Sequence, residues 1–317
     1  MEIVCCTIFS YSEGYNFINR QVCSEFREMI PETDCYTYLN QLLQDGREVN
    51  FTPNENLAQI AIERRLFFLL KGCHGFISDH LCDIAAERND LALLQWARSK
   101  GYPWDIYTFR RAIINHDLEM VQWMTNNGCP WNEQVSGFAA KNSLELLKWI
   151  RSQGCPWDEW TCENAAYGGH LETLQWVRSQ GCPWNEDTCA FAASWGHLEV
   201  LQWVRSQGCP WDTQTCRDAA ERGLLEVVQW ARANGCDWDE ETCACAGWSG
   251  NLELLQWLRD NGCPWDEETF EDAIKAGHVH ILEWALANGC PCSEEVLSHA
   301  LESGDTDIME WAKNIRG

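Results

Sequence analysis

Positively charged residues are scarce in this sequence. Of its 317 residues, 23 are Lys or Arg and 48 are Asp or Glu, so the formal net charge is −25. Proteins bind nucleic acids largely by neutralising phosphates with Lys and Arg, and this charge therefore argues against a nucleic-acid partner. The same negative field disfavours anionic membrane surfaces. The charge favours a basic or neutral protein as the partner.

Long apolar runs and export signals are also missing. No apolar stretch has the length of a transmembrane helix, and the first residues, Met1 to Cys6, lack the basic and apolar regions of a secretory signal. The 19 Cys are an odd number in a long chain, whereas disulfide-rich secreted domains are usually short. We expect reduced thiols, a location in the cytoplasm or nucleus, and a monomer.

Motifs of known enzymes do not occur. There is no Gly-rich phosphate loop, no His-Glu-x-x-His and no Gly-x-Ser-x-Gly. Cysteines seven residues apart, such as Cys155 and Cys162, have the wrong spacing for zinc, and we interpret them as small buried hydrophobic residues. His170, His197 and His278 are replaced by other residues in other copies of the repeat described below, which favours a turn or capping role. The sequence predicts no catalytic residue, no metal site, no cofactor and no enzymatic activity.

The sequence is rich in one repeated motif. Gly-Cys-Pro-Trp, or a near copy, recurs every 26 or 27 residues, and a second tryptophan precedes each of these glycines by five residues. Two series in one register indicate a true repeat. We interpret both tryptophan series as core residues. The copies begin at Gly101, Gly128, Gly154, Gly181, Gly208, Gly235, Gly262 and Gly289, and a less regular copy surrounds Gly72.

Each copy has the pattern of a helical hairpin. In residues 154–180, Gly154 favours the end of one helix, Pro156 prevents its continuation, and Asp158 can cap the next. The first helix of the copy, helix A, runs through residues 161–166. Helix B follows a Gly-Gly turn and extends to about Ser179, and its expected buried residues are Leu171, Leu174, Trp176 and Val177.

Stacking of such hairpins determines the expected fold. One hairpin cannot bury its own apolar face, but stacked copies can, each in contact with its neighbours. The sequence therefore predicts an all-α fold, a superhelical solenoid of stacked antiparallel helix pairs. We expect about ten pairs, in a repeat array that covers residues 50–317.

The repeat resembles the ankyrin repeat. Residues 169–177, Gly-His-Leu-Glu-Thr-Leu-Gln-Trp-Val, follow the family pattern Gly-His-Leu-Glu-Val-Val-Lys-Leu-Leu, and Thr161 with Ala165 and Ala166 matches part of its Thr-Pro-Leu-His-x-Ala-Ala. Ankyrin repeats are commonly about 33 residues long. The resemblance therefore implies ankyrin-like repeats without the β-hairpin finger, and a role in binding proteins. Shortened arrays of this type resemble those of giant DNA viruses, which implies a host protein as the target.

Residues 1–31 do not follow the repeat and resemble an F-box. The matching residues are Ile3, Val4, Ile8, Phe9, Val22 and Phe26. The resemblance implies that these residues dock on the Skp-type adaptor of a cullin-type ubiquitin ligase, that residues 32–49 form a connector, and that the array recruits the target. In the alternative, this segment only covers the first repeat, and the protein is a plain binding scaffold with no ligase link.

Side chains that differ between copies indicate where a partner would bind. The helix A face opposite the Cys and Ala residues carries side chains that vary between copies, for example Glu163, Ala190, Arg217 and Ala244 at one position. Exposed aromatic residues and Arg are the usual anchors of protein interfaces. We therefore predict that the concave partner surface is lined by Trp160, Tyr167, Phe191, Trp195, Arg217 and Trp248.

Overall fold

The computed structural model describes residues 35–316, which fall into two compact units divided between Pro130 and Trp131. Within this range the regular structure consists of 21 α-helices and one short 3₁₀ helix, with no β-strand, so the predicted all-α fold is confirmed. No helix in the same range is long and apolar enough to cross a bilayer. The six residues of the F-box-like segment, Ile3, Val4, Ile8, Phe9, Val22 and Phe26, lie outside the described residues.

The first unit contains a lone helix followed by three helix pairs. Asn40 of the lone helix accepts hydrogen bonds through Oδ1 from the backbone N–H groups of Phe68 and Leu69, each at 3.0 Å. The segment expected as a connector is therefore attached to the first pair. The elements are α1 (Cys35–Gln44), α2 (Glu55–Glu63), α3 (Phe67–Gly72), the 3₁₀ helix (His74–Phe76), α4 (Leu81–Glu87), α5 (Leu91–Ser99), α6 (Ile106–Ile114) and α7 (Leu118–Asn126).

The second unit consists of seven helix pairs, each with a helix A followed by a helix B. The pairs are α8 (Glu133–Asn142) and α9 (Leu144–Ser152), α10 (Glu159–Tyr167) and α11 (Leu171–Ser179), α12 (Glu186–Ser194) and α13 (Leu198–Ser206), α14 (Thr213–Glu221) and α15 (Leu225–Ala233), α16 (Glu240–Ser249) and α17 (Leu252–Asp260), α18 (Glu268–Ala276) and α19 (Val279–Ala287), and α20 (Glu294–Glu302) and α21 (Thr306–Arg316).

Local signals set the helix ends. The motif glycine after each helix B has φ between 76° at Gly128 and 87° at Gly154, a left-handed conformation that only glycine adopts without strain. At the start of helix A, Asp212 accepts a hydrogen bond from the N–H of Gln214 at 3.0 Å, as predicted for this position. Asp158 occupies the same place without a side-chain hydrogen bond to its helix, so its predicted capping bond is not formed.

Small buried side chains join the repeats. Each helix A from α8 to α16 packs against the helix A of the next pair. In α10, Cys162, Ala165 and Ala166 are fully buried, as predicted. In α11 the predicted buried set is only partly right, because Leu174 and Val177 are buried, whereas Leu171 and Trp176 are half-buried. Since helix A carries most of the contact between repeats, helix B exposes one side of its larger residues.

Both tryptophan series lie at the edge of the core, and the prediction that they form the core itself is only partly right. Trp157 and Trp176 meet edge to face, with 5.9 Å between ring centroids, and both are half-buried. Arg178 of α11 lies over the ring of Trp184 in the next loop, with Cζ 3.8 Å from the centroid. Such cation–ring contacts add to the burial of apolar surface. The Arg–Trp–Trp arrangement recurs through the second unit and closes this edge.

The motif cysteines form a second link between repeats. The buried Cys182 thiol donates a hydrogen bond to the carbonyl oxygen of Asp158 in the preceding repeat, at 3.3 Å, and Cys209 makes the same bond to Asn185. A hydrogen bond with Cys182, together with burial, raises the pKa of Cys162 well above the usual range, and this thiol stays neutral. The interpretation of these cysteines as buried packing residues is confirmed, and their donor role is an addition to it.

We expect Gly247→Ala to destabilise the protein by about 1–3 kcal/mol, the usual cost of overpacking. Gly247 is buried in α16, and a Cβ atom there would lie 2.7 Å from the backbone carbonyl oxygen of Thr269 in α18. Because backbone atoms cannot move aside cheaply, the clash should exceed the gain of about 1 kcal/mol in helix propensity. Urea unfolding measures the difference.

Gly75→Ala is the matched control, since a Cβ atom at Gly75 would meet no atom within 4 Å. We expect little change in its stability. Equal or higher stability of Gly247→Ala would show that α16 and α18 are not held this close together.

Candidate protein-binding surface

One side of four successive A helices presents side chains that are half-buried or exposed. We call this the helix-A surface, and it belongs to α10, α12, α14, α16 and the residues that end them. Its residues are Trp160, Asn164, Tyr167, Asp187, Phe191, Trp195, Gln214, Asp218, Glu221, Arg222, Glu241, Cys245 and Trp248. Glu163, Ala190 and Ala244, which the sequence had suggested for this side, are instead buried, with at most 8% of each exposed.

Three of the predicted partner-binding residues come together on this surface. The rings of Tyr167 and Trp195 lie 4.4 Å apart between centroids, and Phe191 meets Tyr167 edge to face at 6.2 Å. A cation closes each end of the group: Lys141 Nζ lies 3.7 Å from the Tyr167 ring centroid, and Arg222 Cζ lies 4.5 Å from that of Trp195. The result is a group of two adjacent rings, tilted by 49° to each other, with a cation over each ring.

The sequence analysis did not predict the two cations of this group, Lys141 and Arg222. Lys141 occupies in its repeat the position that Tyr167 occupies in the next, thirteen residues after the motif glycine. Arg222 stands in the same relation to Trp195, one repeat later. An alignment of equivalent positions in neighbouring repeats would have identified both cations. Helices A pack in register, so side chains at equivalent positions become neighbours in space.

Trp160 contributes to packing between repeats. Its half-buried ring meets Phe138 edge to face at 5.3 Å between centroids. It also covers Gly137, where a Cβ atom would lie 2.1 Å from the ring. The structure therefore places Trp160 against the preceding helix A, and apart from the Tyr167 group.

Arg217 is held by carboxylates of the next repeat. Its Nε lies 3.0 Å from Asp239 Oδ1, its Nη2 also binds Asp239, and its Nη1 lies 2.6 Å from Glu241 Oε2. Hydrogen bonding to this guanidinium lowers the pKa of Asp239. Fork-shaped pairing of this kind fixes the geometry of both partners. Arg217 thus joins α14 to the start of α16.

Trp248 stands apart from the other aromatic residues. Its side chain is among the most exposed large apolar groups of the described chain, at 44%. Within residues 35–316 no aromatic ring stacks on the Trp248 ring and no cation lies over it. His278 Nε2 lies 3.1 Å from the backbone carbonyl oxygen of Trp248, so the backbone at Trp248 is anchored while the indole ring remains exposed.

Carboxylates give this surface a negative field. Burial, followed by the charges of Glu221, Asp187 and Asp212, raises the pKa of Asp218 to about 6. Burial together with the charges of Glu221, Glu241, Asp272 and Asp218 raises the pKa of Cys245 to about 12, and its thiol is therefore unreactive at neutral pH. No group of three or more metal-ligating side chains is arranged to hold a metal ion within the described range.

The helix-A surface thus combines exposed rings with a negative field. Rings supply apolar contact area at low entropic cost, and carboxylates supply charge pairing, which suits recognition of another protein. The sequence matches no protein-family model and no curated protein.

We expect Arg217→Met to lower the free energy of unfolding by about 1 kcal/mol at neutral pH, at the upper end for a partly exposed ion pair. The folded-state pKa of Asp239 lies below its ordinary 3.8. The stabilisation is therefore fully present above pH 3.8 and is lost as the pH falls through the lower, folded-state value. Urea unfolding of both proteins across this range measures it.

Lys148→Met serves as the control, because Lys148 pairs with the exposed Glu145 at 3.7 Å. We expect a cost of about 0.5 kcal/mol or less there. A cost for Arg217→Met that does not shrink in acid would mean that packing of the arginine, and not its charge, stabilises the fold.

Proposed function

We propose that this protein is a binding scaffold without catalytic activity, which holds a target protein on the helix-A surface. The observation that carries the proposal is the exposure of two tryptophans, Trp195 at 41% and Trp248 at 44%, on one side of the stacked A helices. Large aromatic residues on a surface are typical anchors of an interface.

The contrast between constant and variable positions supports this proposal. Buried positions of helix A repeat the same small residues, such as Cys189 and Cys216, because the contact between helices needs them. Thirteen residues after the motif glycine, in contrast, successive repeats carry Tyr167, Ser194, Glu221 and Trp248. Packing does not require this variation, whereas recognition of a particular partner would.

The resemblance to ankyrin repeats agrees with this function, since that family binds proteins. The net charge of −25 favours a basic or neutral protein over nucleic acid or an anionic membrane as the partner. The resemblance to shortened repeats of giant DNA viruses supports a host protein as the target. The cysteines from Cys73 to Cys292 are free of disulfides, which is compatible with the cytoplasm or nucleus as the compartment.

The F-box-like segment extends the same proposal. Residues 1–31 would dock on the Skp-type adaptor of a cullin-type ubiquitin ligase, and the array would then present its target for ubiquitination. The support is the sequence match of Ile3, Val4, Ile8, Phe9, Val22 and Phe26 to the F-box pattern. The alternative is a plain ankyrin-like scaffold with no ligase link.

We expect a photo-crosslinking residue at Asp187 to capture a discrete partner protein in cells. Asp187 is an exposed residue of the helix-A surface. The control places the photo-crosslinking residue at Glu199 instead, which is exposed on helix B of the same pair, and it should capture nothing. Trp195→Ala should reduce capture from Asp187 by about ten-fold or more, as expected for an interface anchor. Equal capture from both positions would contradict a partner surface on helix A.

We expect the full chain to bind a purified Skp-type adaptor, and a chain that lacks residues 1–31 not to bind it. A pull-down with equal amounts of the two proteins measures this, and thermal unfolding of both controls for loss of the fold. Failure of the full chain to bind would remove the ligase link and leave the plain scaffold.

A further inference from the structure

Two rings of the helix-A surface each bind a cation of the chain itself. Lys141 Nζ lies 3.7 Å from the Tyr167 ring centroid, and the Arg222 guanidinium carbon lies 4.5 Å from the Trp195 centroid. In both cases the cation comes from a neighbouring repeat, and the electron-rich face of the ring attracts it. The surface therefore holds a cation over an aromatic ring at two places.

Trp248 has the position of Tyr167 but not its cation. Both rings lie thirteen residues after the motif glycine of their repeat. At this position the repeat before Tyr167 supplies Lys141, whereas the repeat before Trp248 supplies Glu221. On the other side, Lys275 occupies the same position in the repeat after Trp248. Its ammonium lies 2.9 Å from Asp272 and 3.9 Å from Glu271, and it does not cover the ring.

The repeat that precedes Trp248 carries unpaired carboxylates. Helix α14 packs against α16, and it has Glu221 at the position equivalent to Trp248 and Asp218 at the position equivalent to Cys245. Two of the four carboxylates whose charges act on Cys245, one turn before Trp248, are paired: Glu241 with Arg217, and Asp272 with Lys275. The other two, Glu221 and Asp218, form no ion pair within the described part of the chain. Asp218 accepts only a hydrogen bond from the neutral Gln214 amide, at 2.6 Å.

We propose that Trp248, Glu221 and Asp218 form a receptor for one arginine side chain of the bound protein. A guanidinium over the open indole face would reproduce the Arg222–Trp195 contact, and its N–H groups would bind the two unpaired carboxylates. Arginine suits this site because its planar cation stacks on a ring and pairs with carboxylates at the same time. This inference rests on the proposed function, since the arginine belongs to the protein that the helix-A surface holds.

Fluorine NMR of the full chain labelled with 5-fluorotryptophan tests the site directly. The signal that disappears in Trp248→Phe identifies Trp248. The probe is a blocked peptide of repeated Gly-Ser-Arg units, and its control has citrulline, which keeps the shape but not the charge, in place of arginine. We expect the arginine peptide to shift the Trp248 signal at low ionic strength and the citrulline peptide to leave it unchanged.

Glu221→Lys is the decisive variant because it recreates beside Trp248 the Lys141–Tyr167 arrangement. We expect it to weaken binding of the arginine peptide by about ten-fold or more, as loss of a cation–ring contact and an ion pair predicts. Glu283→Lys makes the same charge change at an exposed residue of α19. With the variants compared at a salt concentration of about 0.15 M, it should stay within about two-fold of the wild type, because exposed charges far apart are then screened. Unchanged thermal unfolding confirms the fold of both variants.

Three results would overturn the arginine receptor: no shift of the Trp248 signal with the arginine peptide, an equal shift with citrulline, or equal weakening by Glu221→Lys and Glu283→Lys. If crosslinking from Asp187 still captures a partner in that case, the result contradicts the arginine receptor alone, and the proposed binding scaffold is retained. If the peptide shifts Trp248 but crosslinking captures nothing, the receptor exists and the proposed scaffold function is the part that fails.

Discussion

The close contact between successive A helices is the constraint on which the rest of the structure depends. Cys and Ala side chains such as Cys189, Ala192 and Ala193 are completely buried in it. Because these side chains are small, helices A approach closely, and little room remains between the helices at these positions. The tryptophans of the motif and of helix B therefore lie at the edge of the core, where arginines cover them and thiols tie each loop to the preceding repeat.

The same physical interaction, a cation over an aromatic ring, has two roles in this molecule. At the edge of the core it recurs in most repeats, as in Arg205 over Trp211 at 3.9 Å, and recurrence marks it as part of the scaffold. On the helix-A surface it appears only where particular repeats place a ring beside a cation. Trp248 lacks such a cation, and the equivalent position of the preceding repeat holds Glu221 where Lys141 precedes Tyr167, which is the difference that points to a partner.

Much of the fold could be predicted, because it rests on local signals repeated many times. Gly154 and its equivalents ended helices where expected, and the buried cysteines were recognised from their spacing. The candidate site was predictable only in part. Tyr167, Phe191 and Trp195 meet as one group, but Trp160 packs on the preceding helix and Arg217 pairs with Asp239. The contacts of these side chains depend on residues of adjacent repeats, which the pattern of a single repeat does not contain.

The sequence by itself determined the repeat, the helix pairs, their ends and the small-residue face that stacks them, since each depends on neighbours along the chain or on periodicity. The tertiary structure alone decided which surface side chains are already satisfied within the molecule. Glu163 occupies a position that varies between repeats, yet its side chain is buried, whereas the side chain of Trp248 is exposed. The physical reason is that exposure of a helix A side chain depends on its distance from side chains one repeat, or about 27 residues, away, and only stacking sets that distance.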